Sequence, residues 1–210
     1  MSALAHEVTP DGTSDGSLPP SGRRVRGLLM RPILPDDLRF LYGLATNESD
    51  FRWRYRNGPP TVDQFAHDLQ TGVLAQFVIV TRDQQLPIGL VAAYWPDLMI
   101  GLTHVGVVME PRYHMTGAGI EAAGLFIDYL FQTWPLRKLY FETPEWNLPQ
   151  FASGRNRLYV EEGRLSKHEY FRDKYWDLFI FALYREDWHK RETRHHRSSQ
   201  SRKAAKANAI

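Results

Sequence analysis

No cysteine occurs among the 210 residues. Without thiols the chain cannot carry a disulfide scaffold, a thiolate zinc site, an iron–sulfur cluster or a cysteine nucleophile. Apolar runs are short, and none approaches the ~18 uninterrupted residues that a membrane helix needs. Residues 1–22 hold Glu7, Asp11 and Asp15 but no Lys or Arg. A secretory signal needs a basic start and an apolar run, so the expectation is a cytoplasmic protein with no membrane partner. No internal repeat is present. No Gly-Lys-Ser/Thr follows the glycine pairs, which excludes a Walker phosphate loop. No metal is expected.

What is present is ordinary for a globular chain: 43% hydrophobic and 24% charged residues. The formal net charge of +2 hides an asymmetry. Residues 189–210 hold Lys190, Arg191, Arg194, Arg197, Arg202, Lys203 and Lys206 against Glu192 alone. The positive charge therefore belongs to a tail and describes no binding face. Residues 1–22, rich in Ser, Gly, Pro and Asp, bury too little to offset ordering entropy and are expected to be disordered. The same holds for 189–210 beyond a short helical extension. One domain is expected over 23–188. Nucleic acid would associate only through the basic tail, and a charge run is usually a solvated end.

Between the tails the pattern alternates. Val25 to Leu34 is β-like. Pro35-Asp36-Asp37 opens a helix carrying Leu38, Leu41, Tyr42 and Ala45 at helical spacing. A loop over Asn47 to Pro60 interleaves Phe51, Trp53 and Tyr55 with Arg52, Arg54 and Arg56. Thr61 to Gln64 reads as a capping box. Gln76 to Thr81 and Leu86 to Tyr94 are strands joined by a turn, and Leu102 to Met109 is another strand. Gly117 to Phe131 is a helix with Ile120, Leu125, Ile127, Leu130 and Phe131 apolar. Arg137 to Glu142 is a strand, and Asn147 to Leu158 is helix or loop. Arg164 to Tyr170 and Trp176 to Tyr184 form a hairpin. The order predicts a mixed α/β sheet rather than a regular parallel one.

The sharpest local feature is His114-Met115-Thr116-Gly117-Ala118-Gly119-Ile120-Glu121-Ala122, between a strand and a helix. Glycines there let an anion approach the backbone, and the N–H groups of a helix start point at it. Phosphate or pyrophosphate is the natural ligand. Gly117, Gly119 and Ala122 also fit a dinucleotide fingerprint, with Glu142 as its acid. In that fingerprint the first glycine follows the strand almost directly, whereas Glu110 to Thr116 intervene here. A turn with no ligand is the third alternative.

The segment resembles the acyl-CoA loop of the GNAT superfamily of N-acyltransferases, Arg/Gln-x-x-Gly-x-Gly/Ala, with His114 in the first place and Gly117 and Gly119 in the glycine places. Glu121-Ala122, Asp128-Tyr129-x-Phe131, Glu162-Gly163-Arg164-Leu165 and the run Asp177 to Trp188 resemble the RimJ/RimL-like branch. Leu29-Arg31-Pro32 and the Asp36-Asp37 helix start extend the resemblance over about 25–188. The sequence departs from the pattern at His114, Met115 and Thr116, which removes a cation near the phosphates. Gln150 stands where a Ser is usual, and Leu158-Tyr159 where Gly-Phe is usual.

The resemblance implies a mostly antiparallel sheet with one splayed parallel strand pair and helices on both faces. It implies an N-acyltransferase with acetyl-CoA as co-substrate, an amine attacking the thioester directly. A non-catalytic binding module of the same fold is the alternative. Val107, Val108 and Met109 would pair the pantetheine arm. His114, Met115, Thr116, Gly117, Ala118 and Gly119 would hold the pyrophosphate, and Asn147 would face the pantetheine. Strand 105–109 would donate N–H groups to the oxyanion. An attacking amine must lose a proton, and Glu169, in the Glu-Tyr pair after Glu-Gly-x-Leu, is the first candidate base. Tyr159 would replace the missing Ser as acid, and His104 is a second base candidate. Phe51, Trp53 and Tyr55 would line the wall for the acceptor, a small molecule or a peptide amine. Monomer and homodimer are both open.

Overall fold

The computed structural model describes residues 27–46, 58–151 and 158–190. The readings for 1–22, for the Phe51–Arg56 loop and for the tail beyond 190 lie outside the described residues. The strands are β1 (Leu28–Arg31), β2 (Val73–Thr81), β3 (Pro87–Asp97), β4 (Leu102–Met109), β5 (Lys138–Pro144), β6 (Val160–Phe171) and β7 (Lys174–Tyr184). The helices are α1 (Leu38–Ala45), α2 (Val62–Asp68) and α3 (Ala118–Thr133). The seven strands form one sheet in the order β1-β2-β3-β4-β5-β7-β6. Every neighbouring pair is antiparallel except β4 and β5, which are parallel and joined through α3.

Alternation along the strands divides the core. Val78 and Val80 of β2 are fully buried with Leu41 and Ala45 of α1 and Phe65 of α2 on one face. Ile79, between them, turns to the other face with Val91, Val105, Leu139 and Phe181, beneath Ala118, Ala122, Phe126 and Leu130 of α3. Side chains two apart share a face of a strand, so one apolar run serves both layers. The helix stripe recurs every fourth residue, and its alanines at 118 and 122 let the helix start approach the sheet. The sequence pattern also offers Ile120 and Leu125, but these are 56% and 37% exposed. They lie off the stripe that the four-residue spacing selects.

Local sequence sets the element ends. Thr61 accepts the backbone N–H of Gln64 at 3.2 Å, the N-cap that its sequence announces. Pro35 opens a single 3-10 turn before α1. Asp37, 4% exposed, accepts the Leu34 N–H at 2.8 Å and two bonds from the Arg31 guanidinium at 2.6 and 2.8 Å. These bonds, the Arg31 pair foremost, hold its carboxyl below the usual carboxylate range. At the far end of α3, Arg185 donates to the carbonyls of Phe131, Trp134 and Leu136. These acceptors belong to the last turn of α3 and the chain leaving it, where carbonyls lack helical partners. The β6–β7 hairpin turns at Arg172 and Asp173, both with positive φ (51° and 59°) between the paired Phe171 and Lys174. The expected helix or loop over Asn147 to Leu158 begins as a 3-10 segment, Glu145–Phe151. Among the described residues no helix is long and apolar enough to cross a membrane.

Candidate active site

The parallel ladder between β4 and β5 is three residues long. Leu102, Thr103 and His104 face Lys138, Leu139 and Tyr140, and there the pairing stops. Val105 to Met109 continue to pair with β3, and Phe141 to Pro144 with β7. The two strands therefore part immediately after His104 and Tyr140.

Strand parity decides which groups face the gap. Glu110 N–H donates to Ile88 O at 2.8 Å, so at even positions the backbone of β4 turns to β3. N–H and C=O of one residue share a direction in an antiparallel pair, and the direction alternates. Val105 N–H closes the last rung of the ladder to Tyr140 O, Val107 and Met109 present their backbone to the gap, and Val108 presents its own to β3. Of the three residues expected to pair a pantetheine arm, Val107 and Met109 turn their backbone to the gap and Val108 does not. The Met109 carbonyl already meets the Nε2 of His114 at 3.0 Å.

The glycine loop closes over the same end of β4. Pro111–Tyr113 makes a 3-10 turn, and the His114 N–H returns to Pro111 O at 3.0 Å. His114 is therefore a tie within the loop by both backbone and ring. Thr116 Oγ1 donates to Tyr113 O at 2.7 Å and accepts the Ala118 N–H at 3.3 Å. Gly117 caps α3 with φ 88°, a left-handed conformation that costs a glycine nothing. A Cβ on Gly119 would lie 3.5 Å from Met109 Cγ, which places the helix start directly over the strand end. Among the described residues, the N–H groups of Gly117, Gly119 and Ile120 meet no protein acceptor. Unpaired donors at the start of a 16-residue helix make a site for an anion such as a diphosphate. The residues present thus fit an acyl-CoA: a gap with strand donors at Val107, and a loop of amides one strand-end away.

On the face of the sheet opposite α3, His104 marks the fork. Its ring lies between Tyr94 of β3 (5.8 Å between centroids) and Tyr140 of β5 (5.5 Å), its partners in register on either side. Nε2 is 3.8 Å from Glu142 Oε1, and Nδ1 is buried with no hydrogen-bond partner among the described residues. Burial lowers the imidazole from its ordinary value, and the Glu142 carboxylate opposes that without cancelling it. A neutral imidazole beside a carboxylate can accept a proton near neutral pH.

Next to this row, Lys138 donates to Tyr140 OH at 2.5 Å and to Glu162 at 2.8 Å, and Tyr184 donates to the other Glu162 oxygen. Burial would raise the Glu162 carboxyl, but the bonds from Lys138, Tyr184 and Tyr140 outweigh it and hold it at about 2.

The other expected residues fall elsewhere. Glu169 is 6% exposed, on β6 opposite Trp176. Leu165 and Pro144 share the partner Leu178, so Glu169 lies beyond Pro144, at the end of the sheet where the fork opens. Two extra residues in β6 between Leu165 and Glu169 form an irregularity, and Asp177 accepts the Lys167 N–H there at 2.7 Å. Tyr159 is 8% exposed and packs edge-on against Phe141 (4.8 Å) and Phe181 (5.1 Å) in the core beneath α3. Asn147 turns its amide back to Thr143 Oγ1 at 3.2 Å. Phe51, Trp53 and Tyr55 lie outside the described residues. The sequence reading missed Glu142 as the partner of His104, and it missed Tyr94 and Tyr140 as its neighbours. The available signal was the alternation that puts Tyr140 and Glu142 on one face of β5.

The family profile described as "Acetyltransferase (GNAT) domain" matches residues 27–152. The chain belongs to the GNAT acetyltransferase family. It is thereby an acyl-CoA-dependent N-acetyltransferase with acetyl-CoA as co-substrate. As a GNAT domain it also resembles solved structures. A spermidine N-acetyltransferase from Vibrio cholerae in complex with CoA and spermine superposes with a TM-score of 0.65 at 20% identity, over 77% of this chain and 97% of that one. The spermidine/spermine N-acetyltransferase SpeG from Vibrio cholerae in complex with manganese ions gives 0.64 at 20%, over 79% and 96%. A mutant form of SpeG from the same organism gives 0.66 at 20%, over 79% and 98%. At these identities the likeness is one of fold. No curated protein matches the chain. Among the described residues no group of three or more His, Asp or Glu is placed to hold a metal ion.

Proposed function

We propose that this GNAT domain moves an acetyl group to a primary amine by direct attack on the thioester, with His104 as the proton acceptor, and that it falls in the RimJ/RimL-like branch. The observation that carries the reading is the fork: the backbone of Val107 stands unladdered just beyond the half-buried imidazole of the last paired residue. Acetyl-CoA, when bound, supplies an electrophilic thioester carbonyl. The Val107 carbonyl and the Met109 N–H would hold its pantetheine arm, and the amides of Gly117, Gly119 and Ile120 its diphosphate. Val107 N–H is the first β4 donor beyond the ladder, and a carbonyl oxygen gaining negative charge in the gap would accept it.

His104 takes one proton from the acceptor's ammonium group and passes it to water, which exposes the lone pair. One C–N bond forms, one C–S bond breaks, and a second proton moves from nitrogen to the departing sulfur. Glu142 steadies the imidazolium while it exists. Glu169, at the open end of the sheet, is the second base candidate. Tyr159, edge-on in the core, serves as packing in this reading rather than as the acid. The acceptor is a small molecule or a peptide amine, in the cytoplasm.

The test is thiol release from acetyl-CoA with an amine panel, the acetylated product identified by mass. Transfer that fails in His104→Gln and survives in Glu169→Gln supports the reading. The reverse result moves the base to Glu169. CoA binding without transfer to any amine makes the protein a binding module instead.

A further inference from the structure

The face of β3, β4 and β5 turned away from α3 carries a row of rings that the donor cleft does not use. Tyr94, His104 and Tyr140 stand side by side on three neighbouring strands. By alternation Trp95 belongs on the opposite face. A positive φ of 49° and an irregularity in pairing between Tyr94 and Asp97 bring it back to the row. Its ring lies 5.1 Å from Tyr94 and 5.4 Å from His104, and the residue is 64% exposed. A non-glycine residue in a left-handed conformation, spent on an exposed tryptophan, is a costly arrangement for packing alone.

The charges beside the row are not equivalent. Glu162 is held by Lys138, Tyr140 and Tyr184. Asp97 accepts the N–H groups of Met99 and Ile100 in its own turn, each at 3.1 Å. Glu142, its side chain 31% exposed, faces only the lowered His104 among the described residues. Lys138 sits 4.4 Å above the Tyr140 ring, so that ring already has its cation and a ligand's ammonium is better placed at Glu142. An exposed tryptophan face is a partner for a second aromatic ring.

We propose that this row is the acceptor subsite, and that it takes a monocationic arylalkylamine, its ammonium between Glu142 and His104 and its aromatic body against Trp95. The assignment deepens the transfer reading above and relies on it only for the chemistry. The glycine loop and Met109 lie on the α3 side of the sheet, so the donor enters from there and the amine from the opposite face. The two meet at His104, the last residue before the strands part. A polyamine would bring several ammonium groups to a surface with one uncommitted carboxylate among the described residues and would set one of them against Lys138.

The test is calorimetric binding of tryptamine and of spermidine to the full chain, with and without CoA, followed by acetylation assays. Tryptamine is expected to bind at least ~10-fold tighter than spermidine, and Trp95→Ala and Glu142→Gln each to weaken it by roughly 10-fold. Trp95→Phe should restore part of the loss, which a merely structural role would not predict. Equal or tighter spermidine binding overturns the proposal, as does tryptamine affinity unchanged in Trp95→Ala. If tryptamine binds as expected but is never acetylated, the subsite stands and the transfer reading falls. If another amine is acetylated while tryptamine does not bind, transfer stands and the subsite falls.

Discussion

The two faces of β4 and β5 differ in kind. Toward α3, Val105, Leu139 and Phe181 pack with Phe126 and Leu130, all at most 9% exposed. Away from α3, the same strands and their neighbours carry His104, Tyr140, Lys138, Glu142 and Glu162 in contact with one another. One face is built from dispersion and burial, the other from charge and ring contacts. The comparison teaches that a single alternating run can hold the fold with one set of residues and leave the other for chemistry. Variants on the two faces should therefore separate stability from activity.

The largest effect is expected on the packed face. Phe126→Ala should cost about 3–5 kcal/mol of stability, because the site is fully closed and cannot refill. Denaturant unfolding checks the loss, and activity per folded molecule should be kept. On the other face, His104→Gln should lower kcat/KM roughly 100-fold, about 2.7 kcal/mol, with the melting temperature little changed. A melting temperature that falls with activity would erase the distinction between the faces.

A third test sharpens the polar side. Glu162→Gln leaves the buried Lys138 without its anion and should cost roughly 2 kcal/mol in urea unfolding at neutral pH. The folded Glu162 carboxyl sits at about 2 against an ordinary 4.5, so it contributes stability above pH 4.5 that is lost as pH falls toward 2. The variant should lose that part of the pH slope. A smaller effect concerns the pH profile. In the proposed transfer the neutral His104 is the active form and burial lowers its value, so the acid limb of kcat/KM should lie below 6.5. Glu142, Tyr94 and Tyr140 face the ring. Glu142→Gln removes the one charge that opposes the lowering and should move the limb to still lower pH. The smallest is Gly117→Ala, about 1 kcal/mol, from forcing a Cβ into a left-handed conformation with open space around it.

Much of this division was legible in the sequence where the signal is local. Strand β4 was marked at both ends, the Thr61 cap by its own side chain, and the β6–β7 hairpin by its two alternating runs. The parallel pair and its opening followed from a resemblance to a fold rather than from spacing. What escaped was cross-strand. The pairing of His104 with Tyr140 and Glu142 depends on register between strands 36 residues apart in the chain, which no local pattern encodes. Trp95 reverses face through one backbone angle, against its alternation. His114 fits a phosphate-loop motif by position, yet its ring turns back to Met109.

The most direct test of the account is amide hydrogen exchange of the full chain with and without CoA. Slowed exchange is expected at Val107, Gly117, Gly119 and Ile120 in the presence of CoA, with the neighbouring Val108 unaffected. Protection that appears elsewhere while these four amides exchange as before would contradict it.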